Sequence, residues 1–340
     1  MNKTKIPEKP GWHGEHVERA TGEIGLEPIM GDAWIRRLYE DLPGVSRGAL
    51  MALTSRLVSR VLAYLAFDAP FTRTDAAGFA EQNGIDLAEA IQPPGGFRTR
   101  RDVFLRKLDY ERVRPVSGRE DAAVCLADAK LICGELGEGT RLPVKNRWFD
   151  LETLVGRSSV AREFAGGTFA VFRLAPPDYH WFHAPVSGLV RESYPLAGRY
   201  FSVNPRAIRA LPHVLSDNAR AVAIIDTDIE GGTGIGLVAV IPVAAQVIGK
   251  IVWASSERGY DEPKVVAPGL FVQRGRPMGF FAPGSSTVVA LFQPGRILSD
   301  SDLTALMARD DVPTLYTEDV FGRRAAEVAV RVNESFATRM

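Results

Sequence analysis

Residues 231–249 read GGTGIGLVAVIPVAAQVIG, an uncharged run of nearly twenty residues. Its length alone would suit a membrane-spanning helix. The run opens on Gly-Gly-Thr-Gly, carries Pro242 in its middle and is rich in β-branched side chains. Those features predict buried strands joined by a bend and argue against a spanning helix. Similar short β-prone runs recur on both sides: AAVCLA, GTFAVFRLA, GLVRESY, YFSVN, AVAIID, VIGKIVWA, GLFVQ and TVVALF, punctuated by Gly and Pro. They begin after Pro93-Pro94-Gly95-Gly96, a turn signal. The expectation is a mainly antiparallel β domain, barrel-like or sandwich-like, over residues 93–300.

Outward from that core the periodicity changes. Between Asp32 and Leu87, apolar residues recur every three or four positions, as in AWIRRLYEDL and GALMALTSRLVSRVLAYLAF. Residues 1–92 are therefore expected to form a helical region. Arg56 and Arg60 share one face of an otherwise apolar helix, a pattern of helices lying on a membrane surface and also of ordinary helices with solvated arginines. TDAAGFAEQNG and FDLETLVG read as short helices. After Arg296 the chain reads as helical again, through TALMARDD and EDVFGRRAAEVAVRVNESFA, giving a helical extension at 301–340. The fold class expected is α+β.

Composition narrows the function. The chain has 340 residues, 46% hydrophobic and 24% charged, with zero formal net charge; nothing in that balance points to nucleic acid. Cys125 and Cys133 are the two cysteines, which excludes a disulfide framework and matches no metal spacing. No apolar leader segment opens the sequence.

Two of the five histidines stand three apart in Asp178-Tyr179-His180-Trp181-Phe182-His183-Ala184-Pro185. Imidazole is the side chain suited to proton transfer near neutral pH. On an extended chain these two would face opposite ways unless a turn intervened. Taken alone, they read equally as buried structural histidines. Further on, Pro283-Gly284-Ser285-Ser286-Thr287 leads into VVALF. Gly-Ser is common in turns, but a hydroxyl beside a glycyl carbonyl is also what intramolecular attack requires, because glycine has no Cβ to crowd the geometry. Asp128, in Leu126-Ala127-Asp128-Ala129, is either a turn former or a carboxylate that orients a base.

In order and wording these blocks resemble the phosphatidylserine decarboxylases, over roughly residues 35 to 300. FRTRRDVFLRKLDYERVRPV, LADAKL, WFDLETLVG, GGTFAVFRLAPPDYHWFHAPVSG, AGRYFSVNP and RGRPMGFFAPGSSTVVALFQPGRI carry the similarity. The resemblance implies a chain that cuts itself and converts the serine after the cut into a pyruvoyl group. That group decarboxylates phosphatidylserine to phosphatidylethanolamine and CO₂, without a metal. It implies that Asp128 orients His183, that His183 deprotonates the serine, and that His180 shapes the pocket and helps protonate the carbanion. The family's Asp-Gly is Asp128-Ala129 here. The cleavage motif aligns in two registers: Gly284-Ser285 is cut with Ser285 as nucleophile, the assignment preferred on the chemistry of a glycyl acyl donor, or Ser286 is the nucleophile. The resemblance further implies α and β chains from one precursor, a homodimer, and peripheral attachment to the cytoplasmic side of the cell membrane. Two alternatives stand: a decarboxylase of a soluble amino acid on the same scaffold, or a relative that no longer processes itself. A hydrolase acting on external substrates is disfavoured, since no Gly-x-Ser-x-Gly elbow occurs.

Overall fold

The computed structural model describes residues 14–27, 54–69, 76–136, 141–144, 147–202, 214–245, 250–283, 286–314 and 324–340. A ten-stranded sheet organises them. In spatial order its strands are Phe271–Val272, Gly188–Leu196, Arg220–Asp226, Leu237–Val243, Ser286–Phe292, Thr168–Leu174, Ala129–Glu135, Val328–Val330, Glu15–Glu18 and Ile24–Leu26. Every pairing is antiparallel except the parallel contact of Glu15–Glu18 with Val328–Val330. The sheet is open, so the architecture is sandwich-like and the barrel expectation does not hold.

The centre of the 231–249 run is apolar because the Leu237–Val243 strand is buried on both faces. In the Leu237–Val243 strand, Val238 and Val240 face one core while Leu237, Ala239, Ile241 and Val243 face another. Ser286–Phe292 divides the same way, Val288, Ala290 and Phe292 against Val289 and Leu291. A strand covered on both faces has no polar side to show. On the first face lie two three-stranded sheets, Ile251–Trp253/Pro277–Phe281/Trp181–His183 and Ile297–Ser299/Ser335–Arg339/Ala122–Val124. On the second lie the helices Leu151–Val155 and Ser158–Phe164. Pro242, which has no N–H, faces Val288 on one side and has no ladder partner in the Arg220–Asp226 strand on the other.

Two expectations need correction. The segment AEVAVRVNESFA is not helical: Val328–Val330 and Ser335–Arg339 are strands. Ala326, Val328, Val330 and Val332 are buried at every second position, and this period of two outweighs the helical spacing read there. YFSVN was expected as a strand, but Tyr200–Ser202 has no strand structure, and the rest of it lies outside the described residues. In the N-terminal part, Arg56–Phe67 and Ala76–Gln82 are helices, whereas Glu15–Glu18 and Ile24–Leu26 are strands. AWIRRLYEDL lies outside the described residues, so the helical N-terminal region is observed in part. No helix among the described residues is long and apolar enough to cross a membrane.

Candidate active site

The end of the Thr168–Leu174 strand builds the site. Ser286, the first residue of its strand, pairs with Leu174. After Leu174 the chain turns through Ala175-Pro176-Pro177-Asp178. Asp178 fixes this turn: its Oδ2 accepts from the Ala175 N–H at 2.7 Å and its carboxylate meets Lys130 Nζ at 3.2 Å. The turn delivers His180 to Ser286, with His180 Nδ1 3.3 Å from Ser286 Oγ. Its other nitrogen, Nε2, lies 3.2 Å from the Pro176 carbonyl, which can only accept. The proton is therefore on Nε2, and Nδ1 is free to accept from the serine hydroxyl. Both residues are fully buried. Burial, with the Arg106 charge second, pulls the His180 pKa down to about 3, so the imidazole is neutral at physiological pH. The Phe104 ring stacks on it at 3.8 Å between centroids.

His183 closes the Trp181–His183 strand and looks elsewhere, as a three-residue offset on extended chain requires. Its Nδ1 donates to the Gly275 carbonyl at 2.9 Å, and its Nε2 meets the Tyr179 hydroxyl at 3.1 Å. Tyr179 in turn contacts the Tyr260 hydroxyl at 2.5 Å, and Tyr260 is bracketed by the Leu108 carbonyl and N–H. Burial lowers the His183 pKa to about 4; the Gly275 carbonyl and then the Asp128 charge oppose that shift. Tyr110 and Tyr260 also line a cleft of about 510 Å³ with Lys107 and Arg276, so the cleft reaches within one side chain of His183.

Asp128 lies in the bend before the Ala129–Glu135 strand. Its carboxylate meets Arg114 at 2.9 Å and accepts from the Val332 N–H at 2.8 Å, and it makes no hydrogen bond to His183. Arg114 is held a second time by Glu89 at 2.8 Å. Ala129 avoids the left-handed region, so its Cβ is accommodated and packs in the core. The structure therefore unites His180 with Ser286 and puts His183 and Asp128 in an adjoining network. Gly284 and Ser285 lie outside the described residues.

Sequence reading missed five contributors. Phe104, at the end of the Arg100–Phe104 helix, and Arg106, just after it, flank His180, a proximity that tertiary packing creates and spacing cannot reveal. Tyr260 belongs to a loop without a motif. Asn333, at φ 71°, donates to the Arg114 carbonyl at 2.9 Å and is completely buried beside His183, on whose ring its side chain acts. Gly279 supports both histidines: an added Cβ would meet Phe182 Cζ at 2.4 Å and the Val252 carbonyl at 2.6 Å. A bulge between Pro277 and Gly279 lets this strand pair with the histidine strand. Among the described residues no group of acidic, histidine or cysteine side chains could hold a metal ion.

Comparison with known proteins agrees with this arrangement. The family profile described as phosphatidylserine decarboxylase matches residues 101–308. A Chlamydia trachomatis phosphatidylserine decarboxylase proenzyme is 31% identical over 295 residues, covering 86% of this chain and 92% of that protein. A Chlamydia muridarum protein of the same name is 34% identical over 292 residues, 85% and 90% of the two chains. One from Fusobacterium nucleatum is 28% identical over 309 residues, 91% and 97%. With the histidine and serine blocks gathered at one end of the sheet and matches of this extent, the chain belongs to the phosphatidylserine decarboxylase family.

Proposed function

We propose that this protein is a self-processing decarboxylase that converts phosphatidylserine to phosphatidylethanolamine and CO₂, with Ser286 as the processing nucleophile and His180 as its base. One observation carries the assignment of residues: a neutral, fully buried imidazole nitrogen 3.3 Å from the Ser286 hydroxyl. His180 takes the hydroxyl proton as Oγ attacks the carbonyl carbon of residue 285, and the C–N bond breaks as the amine regains a proton. The resulting ester eliminates the upstream carboxylate. Water then hydrolyses the remaining enamine through its imine tautomer, releasing ammonia and leaving a pyruvoyl group on the new N-terminus. That group supplies an electron sink for loss of CO₂ from an amino acid headgroup. The fit is chemical: the serine needs no external base, and its burial keeps bulk water from the ester until elimination has occurred.

A second reading has Ser285 attacking the Gly284 carbonyl, with His183 as base in the field of Asp128. The missing Cβ of Gly284 and the Asp128 charge on His183 favour it. Intact-mass spectrometry of the freshly expressed protein separates the two. Under the first reading a C-terminal chain starts at position 286 as pyruvoyl; under the second it is heavier by one serine residue. A single 340-residue chain that also fails to release CO₂ from phosphatidylserine would refute both readings.

For the membrane, the Arg56–Phe67 helix offers a face of Leu57, Val61, Tyr64 and Leu65, each 46% exposed or more, with exposed Arg60 among them. An apolar face edged by a cation suits peripheral attachment to an anionic bilayer. Flotation with phosphatidylserine vesicles tests it: Val61→Glu should lower the bound fraction several-fold, and unchanged flotation would discard this face.

A further inference from the structure

Arg106 is only 7% exposed, yet among the described residues no carboxylate pairs with it. Its Nη1 donates to the Val103 carbonyl at 3.3 Å and its Nη2 to the Pro177 carbonyl at 2.9 Å, while Nε has no partner among the described residues. The nearest carboxylates are engaged elsewhere, Asp128 by Arg114 and Asp178 by Lys130 and the Ala175 N–H. Buried guanidinium groups are ordinarily neutralised, because removing an unpaired cation from water is costly. The placement is specific too. His180 and Arg106 donate to consecutive carbonyls of one turn, those of Pro176 and Pro177, so the guanidinium stands beside the imidazole that faces Ser286. Phe104, two residues earlier, stacks on that imidazole.

We infer that Arg106 is a substrate-binding residue, holding an anionic oxygen of the headgroup beside the serine-derived centre through its unpartnered Nε–H and its positive charge. This rests on the decarboxylase reading for the identity of the substrate. The headgroup carries two such groups, a phosphodiester and a carboxylate, and guanidinium recognises the charged oxygens of either. A purely structural Arg106 would tie the Pro176-Pro177 turn to residue 103 and nothing more.

Calorimetric titration of the full chain with two soluble probes, glycerophosphoserine and glycerophosphoethanolamine, tests the inference without relying on turnover. Arg106→Met should weaken glycerophosphoserine binding roughly tenfold to a hundredfold, the usual range for losing a charge-assisted contact. Equal weakening of glycerophosphoethanolamine assigns the contact to the phosphodiester, and weakening of the serine compound alone assigns it to the carboxylate. Arg106→Lys, which keeps the charge but loses the fork, should fall between wild type and Met. Where activity is measured, the Met variant should raise KM for phosphatidylserine by a similar factor with a smaller change in kcat. Unchanged affinities in both variants, or no measurable binding to wild type, overturn the inference. Should the Met variant misfold, unchanged affinity in Arg106→Lys overturns it alone. A wild type that binds both probes in an Arg106-dependent way yet releases no CO₂ would instead sink the decarboxylase reading and leave the binding site standing.

Discussion

Two buried arginines divide this molecule. Arg173, on a central strand and 4% exposed, is enclosed by Glu27 and Glu327, each with an oxygen at 2.7 Å. Those two carboxylates come from opposite ends of the chain and fix the terminal segments to the sheet. Arg106, nearly as buried, has carbonyl oxygens alone among the described residues and an Nε without a partner there. The same side chain in the same dielectric is complete in one place and incomplete in the other. Polar groups that serve the fold are satisfied by the fold. Around His180 and Ser286 the polar groups are arranged for chemistry: the imidazole Nδ1 meets the serine hydroxyl, and the guanidinium Nε beside them has no partner among the described residues.

The largest expected effect breaks the incomplete cluster. His180→Ala should abolish processing, leaving one chain by mass and by gel, while the fold persists. His183→Ala should slow processing far less, because His183 faces Tyr179 and Gly275. The reverse result, full arrest in His183→Ala and normal cutting in His180→Ala, would transfer the base to His183. In the complete cluster the effect is on stability. Arg173→Met strands two buried carboxylates and should cost about 3–5 kcal/mol, read as a lowered urea midpoint. A loss below about 1 kcal/mol would mean that the terminal segments are held by something other than this triad.

The two clusters were unequally legible in the sequence. The strands were readable because burial on both faces leaves a continuous apolar run, as at Leu237–Val243, and the histidine and serine blocks were readable as motifs. The last strands were misread because Ala326 to Val332 supports two periods over a short length, and only the pairing of Val328–Val330 with Ala129–Glu135 decides between them. Arg173 with Glu27 and Glu327 could not be foreseen, nor could Arg106 beside His180, since both depend on which distant segments pack together. Asp128, which the resemblance implies orients His183, is held by Arg114 and lies near enough for its charge to act on that ring.

Acid should sharpen the comparison next. Burial depresses His180 to about 3 and His183 to about 4, below the ordinary 6.5. A depressed folded pKa means that the unfolded chain takes up the proton first. The stability from keeping these rings neutral is therefore whole above pH 6.5 and is lost as pH falls through 6 and 5 toward the folded values. Each ring steepens the decline by up to about 1.4 kcal/mol per pH unit. Urea midpoints between pH 7 and 4.5 should drop more steeply for wild type than for His180→Gln, and parallel curves would mean His180 is already solvated. The processing rate should be flat from pH 8 to 5, since the base is neutral throughout.

The smallest effect separates the two histidines from each other. The Tyr179 hydroxyl has one proton and two claimants, His183 Nε2 at 3.1 Å and the Tyr260 oxygen at 2.5 Å. Tyr260→Phe removes one claimant, so the proton settles on Nε2 and the neutral ring gains a donor. Hydrogen bonding to the neutral form lowers a pKa further, so His183 should titrate below its value of about 4 while His180, which has no contact with Tyr260, should not move. The variant also leaves the Leu108 N–H and carbonyl without their hydroxyl, at a cost of about 1 kcal/mol. Carbon-13 shifts of the two imidazoles, followed in the uncleaved Ser286→Ala background, report both titrations at once. A His183 pKa that rises on losing Tyr260 would show instead that the Tyr179 hydroxyl already donates to Nε2 in the native protein and that Tyr260 helps to hold it there.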